Sequence, residues 1–402
     1  MIKFDPSRRQ VVRGVAYGAA LLGTTSVFAG CAMQSAYDDA SLPDEIRIRG
    51  ADGYGLDQVL AAFNEANGVM VTAERTATDA DTVKRLQAGD ADQLDVVSVG
   101  HVAARHDLHA QGLIRPLDRN RFEPAFANML PAFQQPFKWA MSLDESALIG
   151  IPQRFDLLSL VVNTDRVSLQ SAEEQGFALF NDDANAGRFG ILTDDIWNIA
   201  HMCVGVGVDP FKQPSHDDVV ALEKCARKWF RNAALLSHDP AQLNRALVAG
   251  DIDFYCSGGI ASAAPARMEG HANVRAVIPA SGPIDGSAGI ARVELLCIVD
   301  NARSGKLAAA FVEYAQRPEV VHAVSLANGA PHPVSQLGRE DVRARFSRAE
   351  LDALQWDTLE EDLARVAFEE PNPGFDEMVA AYSSAPLGLW TPRLRCPLTF
   401  HM

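Results

Sequence analysis

The chain has 402 residues, 48% of them hydrophobic and 22% charged, and a formal charge of −16. This is an ordinary core-forming composition, long enough for two lobes, which excludes a peptide hormone, a disulfide miniprotein and a disordered chain. The first thirty residues hold four basic side chains (Lys3, Arg8, Arg9, Arg13) and one acid (Asp5), so the rest is more acidic still; it repels polyanions, and nucleic acid is not an expected partner.

Ser7-Arg8-Arg9-Gln10-Val11-Val12-Arg13 precedes an uncharged run, residues 15–30, rich in Ala and Gly. The run falls short of the roughly 20 apolar residues that span a bilayer, and a basic head with a short apolar core reads as a secretory signal over residues 1–30. Arg8-Arg9 resembles the twin-arginine export signal, whose cargo crosses the membrane folded. Val27-Phe28-Ala29-Gly30-Cys31 resembles a bacterial lipobox, with Cys31 as the lipid attachment and Phe28 in place of the usual Leu or Val. Residues 31–43 then form a polar tether, and the body is expected in the periplasm, held to the membrane by lipid alone. An uncleaved N-terminal anchor is the alternative. The other cysteines, Cys203, Cys225, Cys256, Cys297 and Cys396, form an odd set without a C-x-x-C pair; a Cys203–Cys225 bridge and buried free thiols both remain open.

From Glu45 strands and helices alternate. Ile46 and Ile48 mark a short strand; Leu56, Val59, Leu60 and Phe63 fall at i, i+3, i+4, i+7 of a helix; Asn67-Gly68 stops it before the strand at 69–71. A helix over 82–88 leads to an apolar strand at 94–98, which completes a βαβαβ opening and predicts a largely parallel sheet. Ligands collect outside the carboxyl ends of such strands, here residues 49–54 with Arg49, Asp52 and Tyr54, and residues 98–101 with Ser98 and His101. Residues 147–163 read as an apolar stretch with a turn at Pro152, long enough to pass from one lobe to the other, with Arg154 near the crossing. A new unit follows, with a strand at 189–192, Thr193-Asp194-Asp195 opening a helix, further helices over 217–230 and 240–248, and a strand at 253–256 before Ser257-Gly258-Gly259. A strand at 292–299 can return to the first lobe, and helices follow over 306–315 and 318–327. The expected division is a first segment of lobe 1 over 44–150, lobe 2 over 151–289, and a return to lobe 1 with C-terminal helices and tail over 290–402.

These residues resemble the extracellular solute-binding proteins of ABC importers, and within them the spermidine/putrescine-binding branch. The likeness runs from about Glu45 to His332 and is carried by strand, loop and helix 46–63 with Tyr54, by Asp95-Val96-Val97, by Ile151-Pro152 to Val162-Asn163, by Leu192-Thr193-Asp194-Asp195, by Ala249-Gly250-Asp251-Ile252 before Tyr255, and by Ala310-Phe311-Val312 with Arg317-Pro318-Glu319. It implies two α/β lobes of the type II periplasmic-binding-protein kind, each a mostly parallel sheet flanked by helices, that close on one solute and present it to a permease. No G-x-S-x-G, H-E-x-x-H or P-loop lysine motif appears, so no enzyme activity and no cofactor are expected, an enzyme needing an acid–base pair that the sequence does not show; a monomer is expected. Polyamine binders of this family grip ammonium groups with carboxylates and stack the alkyl chain between aromatic rings. On that pattern Tyr54 matches an aromatic, Asp195 a carboxylate, and Glu294 conservatively replaces another. Ala51 stands in place of an aromatic, His101 of a Tyr, Asn198 of an acid, and Cys256 and Arg292 of Trp residues.

Arg292 weighs most, because a guanidinium repels a polycation and can clamp a carboxylate, phosphonate or sulfonate in bidentate fashion, with Arg49 and Arg154 adding to it. The expected solute bears an anionic group and an amine or hydroxyl that reaches Asp195 or Glu294. The plainer possibilities are that Arg292 only pairs with Glu294 two residues on, that Asp195 only caps its helix, and that Tyr54 only packs. A polyamine, or a sensor or adaptor role without transport, are the alternatives. His101, His106 and His109 are not completed into a metal ligand set, and Val204-Gly205-Val206-Gly207 lacks the third glycine of a dinucleotide fingerprint.

Overall fold

The structure is a computed structural model that describes residues 45–385 except 51–56, 76–77, 135–136, 301, 304 and 328. The expected signal, Cys31 and the tether lie outside the described residues, as do Ala51, Asp52, Tyr54 and Cys396. Among the described residues no helix is long and apolar enough to cross a membrane.

The alternating pattern folds as a parallel group. Strands β1 (Glu45–Gly50), β2 (Met70–Arg75) and β3 (Val96–Gly100) pair in the order β2-β1-β3, with helices Asp57–Asn67 and Asp79–Gln87 as the crossovers. Val59, Phe63, Val83 and Leu86 bury the inner stripe of those helices, each contributing about 1.5–3 kcal/mol by leaving water. Thr78 ends the loop before the second helix by accepting the Asp81 N–H, a cap that fixes Asp79 at the helix start, beside the end of β3.

Two long strands join this group to a second one. The sheet order continues from β3 through β9 (Gly289–Ile298) to β4 (Ile151–Asn163), and on to β7 (Phe254–Gly258), β5 (Phe189–Leu192) and β6 (Leu235–Ser237). Residues Ile151–Leu158 of β4 pair with β9, whereas Leu160–Val162 pair with β7 and with β8 (Val274–Val277), so one strand serves both groups. The antiparallel β3–β9 and β9–β4 pairs bring residues far apart in sequence side by side, and the architecture is the two-lobe α/β arrangement. The turn expected at Pro152 is not there. Pro152 lies inside β4, where a register shift between Pro152 and Phe155 accommodates its missing N–H, and its carbonyl accepts from Ser335 Oγ and Gln336 Nε2, both at 2.9 Å.

The second group packs on a core of Phe177, Phe180, Phe189, Trp229 and Phe254, which also receives Met378, Tyr382 and Ala385 from the end of the chain. The C-terminal stretch thus begins as strand β10 (Val366–Phe368), parallel to the first residues of β9, and ends as helix Phe375–Ser384 against helices Asp195–Gly205 and His216–Asn232. Phe368 pins its near end among Phe133, Phe137 and Trp139, stacking on the last at 5.4 Å.

Candidate functional site

Strand β9 alternates buried and partly exposed positions around Arg292 and Glu294, so their side chains share one face. Register places Glu294 opposite Gly100 at the end of β3 and Arg292 opposite Asp156 on β4. The Arg292 guanidinium lies over Gly100, where a Cβ would come within 3.4 Å of its Nε and Nη2. Arg292 Nη2 donates to Asp79 Oδ2 at 2.7 Å, and the same oxygen accepts the Gly100 N–H at 3.0 Å. Glu294 Oε1 stands 3.9 Å from Arg292 Nη1, and its Oε2 accepts from Arg154 Nη2 at 2.9 Å and Nε at 3.2 Å, with Ser98 Oγ at 3.5 Å. Asp79, Arg292, Glu294 and Arg154 therefore alternate in sign along a ladder, from side chains 25% and 31% exposed to ones 14% and 2% exposed.

Further carboxyl groups surround this ladder. Glu369 follows β10, its N–H donating to Ala291 O at 2.9 Å, and burial pushes its carboxyl up to about 7; Arg292 opposes the shift, and Asp79 and Asp194 add to it. Asp156 Oδ1 accepts the N–H groups of Leu157 at 2.9 Å and Ala261 at 3.3 Å, the latter in the first turn of helix Ile260–Met268. Gly259 makes that approach possible, since a Cβ there would lie 2.6 Å from Asp156 Oδ1. Burial drives the Asp156 carboxyl toward its protonated form and the nearby His332 toward neutral imidazole. Burial would also raise Glu294, but Arg154 and Arg292 outweigh it and hold that carboxyl low. Two guanidiniums thus face three carboxyl groups, those of Asp79, Glu294 and Glu369, while Asp156 interacts with His332; Glu369 and Asp156 are the ones that burial keeps from ionising freely.

A second polar group gathers at helix Asp195–Gly205. Asp194, not Asp195, is the cap, accepting the Trp197 N–H; Asp195 is exposed in the first turn, next to the Tyr382 hydroxyl. Asn198 is fully buried in a polar chain: its Nδ2 donates to Tyr382 Oη at 3.1 Å, its Oδ1 accepts from Ser257 Oγ at 2.6 Å, and Ser257 Oγ meets His201 Nδ1 at 3.0 Å. Ser257 holds φ 63°, a left-handed conformation that costs a non-glycine residue about 1 kcal/mol or more and recurs at functional sites.

The structure brings Ser98, Arg154, Arg292 and Glu294 together and places Asp195 and Asn198 on helix Asp195–Gly205. The remaining sequence candidates lie elsewhere or are engaged. Arg49 is turned to Glu74 Oε2 at 3.2 Å and Thr82 Oγ1 at 3.3 Å. Tyr255 is fully buried with its hydroxyl on Asn244 Oδ1 at 3.1 Å, and Cys256 sits in the second core. His101 is fully buried; burial lowers its pKa to about 4, so it is neutral, its Nε2–H donates to Glu369 O at 2.9 Å and its Nδ1 accepts from Val293 N–H at 3.3 Å. Sequence reasoning missed Asp79, Asp156, His332, Glu369 and Tyr382. Asp156 was visible as the lone acid within an apolar stretch; the others carry no periodic or spacing signal.

No curated protein matches the chain. Solved structures share its fold at low identity. The spermidine/putrescine ABC transporter substrate-binding protein PotD from Streptococcus pneumoniae is 15% identical with a TM-score of 0.63, over 86% of this chain and 98% of that one. The TpPotD lipoprotein of Treponema pallidum is 16% identical with a TM-score of 0.61, over 85% and 99%. MotA from A. tumefaciens, solved with glucopine, is 14% identical with a TM-score of 0.55, over 85% and 100%. The profile of bacterial extracellular solute-binding proteins matches residues 58–336, from the first crossover helix to the segment behind Arg154, and the chain belongs to that family.

Proposed function

We propose that the protein is the receptor of an ABC importer for a small solute that carries an anionic group together with an amine. The carrying observation is the charge ladder itself. Of the Arg292 guanidinium, only Nη2 is hydrogen-bonded among the described residues, so Nε and Nη1 remain, each on its own edge, to donate a single hydrogen bond to a carboxylate or phosphonate. Glu369, raised by burial to about 7, makes no ion pair among the described residues, with Arg292 acting on it only through its field; an ammonium group arriving there ionises it and gains a charge-assisted hydrogen bond. Asp194 and Asp195 offer further acids at the start of helix Asp195–Gly205, so a solute bridging them and the ladder favours the closed form. The glucopine complex of MotA, a fold neighbour, is in keeping with such a ligand.

The excess of carboxyl over guanidinium groups favours a second reading, a polyamine, which the PotD neighbours' names also support. In either case Cys31 would hold the body to the membrane through lipid, and the solute would leave unchanged to a permease. Mass spectrometry of small molecules released from the purified, denatured protein separates the readings. An amino-acid-like zwitterion supports the first, spermidine or putrescine supports the second and removes the role of Arg292 as an anion clamp. A raised melting temperature on adding the identified compound must follow, since a ligand of the native state alone stabilises it by mass action. A protein that neither carries nor responds to any small molecule, yet pulls a non-permease partner from membranes, would instead be a sensor or adaptor.

A further inference from the structure

The cysteines carry an inference that is independent of the solute. Cys203, Cys225, Cys256 and Cys297 are all free, and they are 0%, 4%, 0% and 0% exposed. Three of them, Cys203, Cys225 and Cys256, share the second core. The native packing is shaped around reduced sulfur: Cys203 Sγ lies 3.8 Å from Met378 Sδ, Cys225 Sγ 3.9 Å from Asn181 Oδ1, and Cys297 Sγ 3.8 Å from Leu295 O. Gly150 presses so near Cys297 that a Cβ there would be 2.8 Å from the sulfur.

We infer that this chain folds before its thiols meet an oxidant, and that the Arg8-Arg9 leader therefore passes an already folded body across the membrane. The body is destined for an oxidising compartment, where an unfolded chain would offer Cys203, Cys225, Cys256, Cys297 and Cys396 to any thiol oxidase. Every cross-link among the four described thiols would be non-native. Each takes two protons and two electrons from a pair of thiols and reduces the disulfide of the oxidant to a dithiol. Once folded, the chain is safe on two counts: the sulfurs are out of contact with solvent, and burial raises their pKa values, to about 12 for Cys203 and Cys256, so almost no thiolate is present to attack. A chain threaded unfolded would be trapped before it could bury them.

Refolding, thiol mapping and export test this. The full chain, unfolded in denaturant, is refolded with dithiothreitol or with glutathione disulfide; native yield should drop about tenfold or more under the oxidant, because each pairing is wrong. Equal yields would overturn the inference. A variant with all five body cysteines changed to Ala should refold equally well in both; should it not fold, peptide mapping of the exported wild-type protein, unfolded in maleimide, decides instead. Free Cys203, Cys225, Cys256 and Cys297 support the inference, and any disulfide among them overturns it. In bacterial cells the Arg8→Lys/Arg9→Lys pair should leave the chain inside, folded and protease-resistant; undiminished export would overturn the folded route.

Discussion

Replacing Glu294 by Gln keeps the side chain's shape and removes the charge that Arg154 and Arg292 share. Arg154 is 2% and Glu294 14% exposed, so solvent screens this pair little. Removing one member of a buried ion pair costs about 3–5 kcal/mol. Here the Gln oxygen still accepts from Arg154, and Arg292 keeps Asp79 at 2.7 Å, which lowers the expected loss to about 2–3 kcal/mol. Urea unfolding followed by tryptophan fluorescence reads this as a lower midpoint at unchanged slope. The acid limb gives an internal control. Arg154 and Arg292 hold the Glu294 carboxyl below its usual value against burial, so its contribution is full above the unfolded value of about 4.3 and is lost as pH falls through the lower folded value. The gap between wild type and Glu294→Gln should therefore close in strong acid. Replacing Arg154 and Glu294 together by Met should cost less than Glu294→Gln alone, because no buried charge is left over. A gap below about 0.5 kcal/mol at neutral pH, within the range of indifferent surface changes, would refute the ladder as a buried electrostatic unit.

Glu369 carries the opposite sign. Its folded value of about 7 lies above the unfolded one, so its cost grows as pH rises through that window, and Glu369→Gln should be more stable than wild type by roughly 1–2 kcal/mol above it, discounted for partial solvent access; identical pH profiles in urea unfolding would count against a buried carboxyl. His101 and His201 are both lowered by burial to about 4, so stability should fall as pH drops from the unfolded value of about 6.5 toward 4, and a flat urea midpoint over that interval would show that these rings are accessible to protons. Gly259→Ala puts a Cβ 2.6 Å from Asp156 Oδ1 and 2.7 Å from Leu157 O, where backbone cannot yield cheaply; a loss of about 1–3 kcal/mol is expected in the same assay, and a neutral result would mean that β4 and helix Ile260–Met268 do not approach so closely.

Much of the scaffold was open to reading because its elements announce themselves locally. The stripe Val59, Leu60, Phe63 and the wholly buried run Val96–Gly100 leave one helix and one inner strand as the low-energy choices, and their alternation implies the parallel group. Pro152 misled because proline more often ends a strand than lies within one, and the bulge that accommodates it depends on β9 and on Ser335, neither of which is near in sequence. Arg292 and Glu294 could be assigned to one face from their spacing alone, whereas their partners could not: Asp79 and Arg154 are 213 and 140 residues away from them.

Composition, periodicity and the order of weak motifs were enough to establish an α/β chain of the solute-binding kind, since secondary structure and family likeness are written in short windows. The three-dimensional fold alone decided which charges meet. It set Glu369, Asp156 and His332 around the Arg292–Glu294 pair, turned Arg49 toward Glu74, and sank Cys256 and Tyr255 in the interior. The reason is that an ionisable group takes its character from burial and from neighbours within a few ångströms, and those are products of strand register and chain crossing that no stretch of sequence contains.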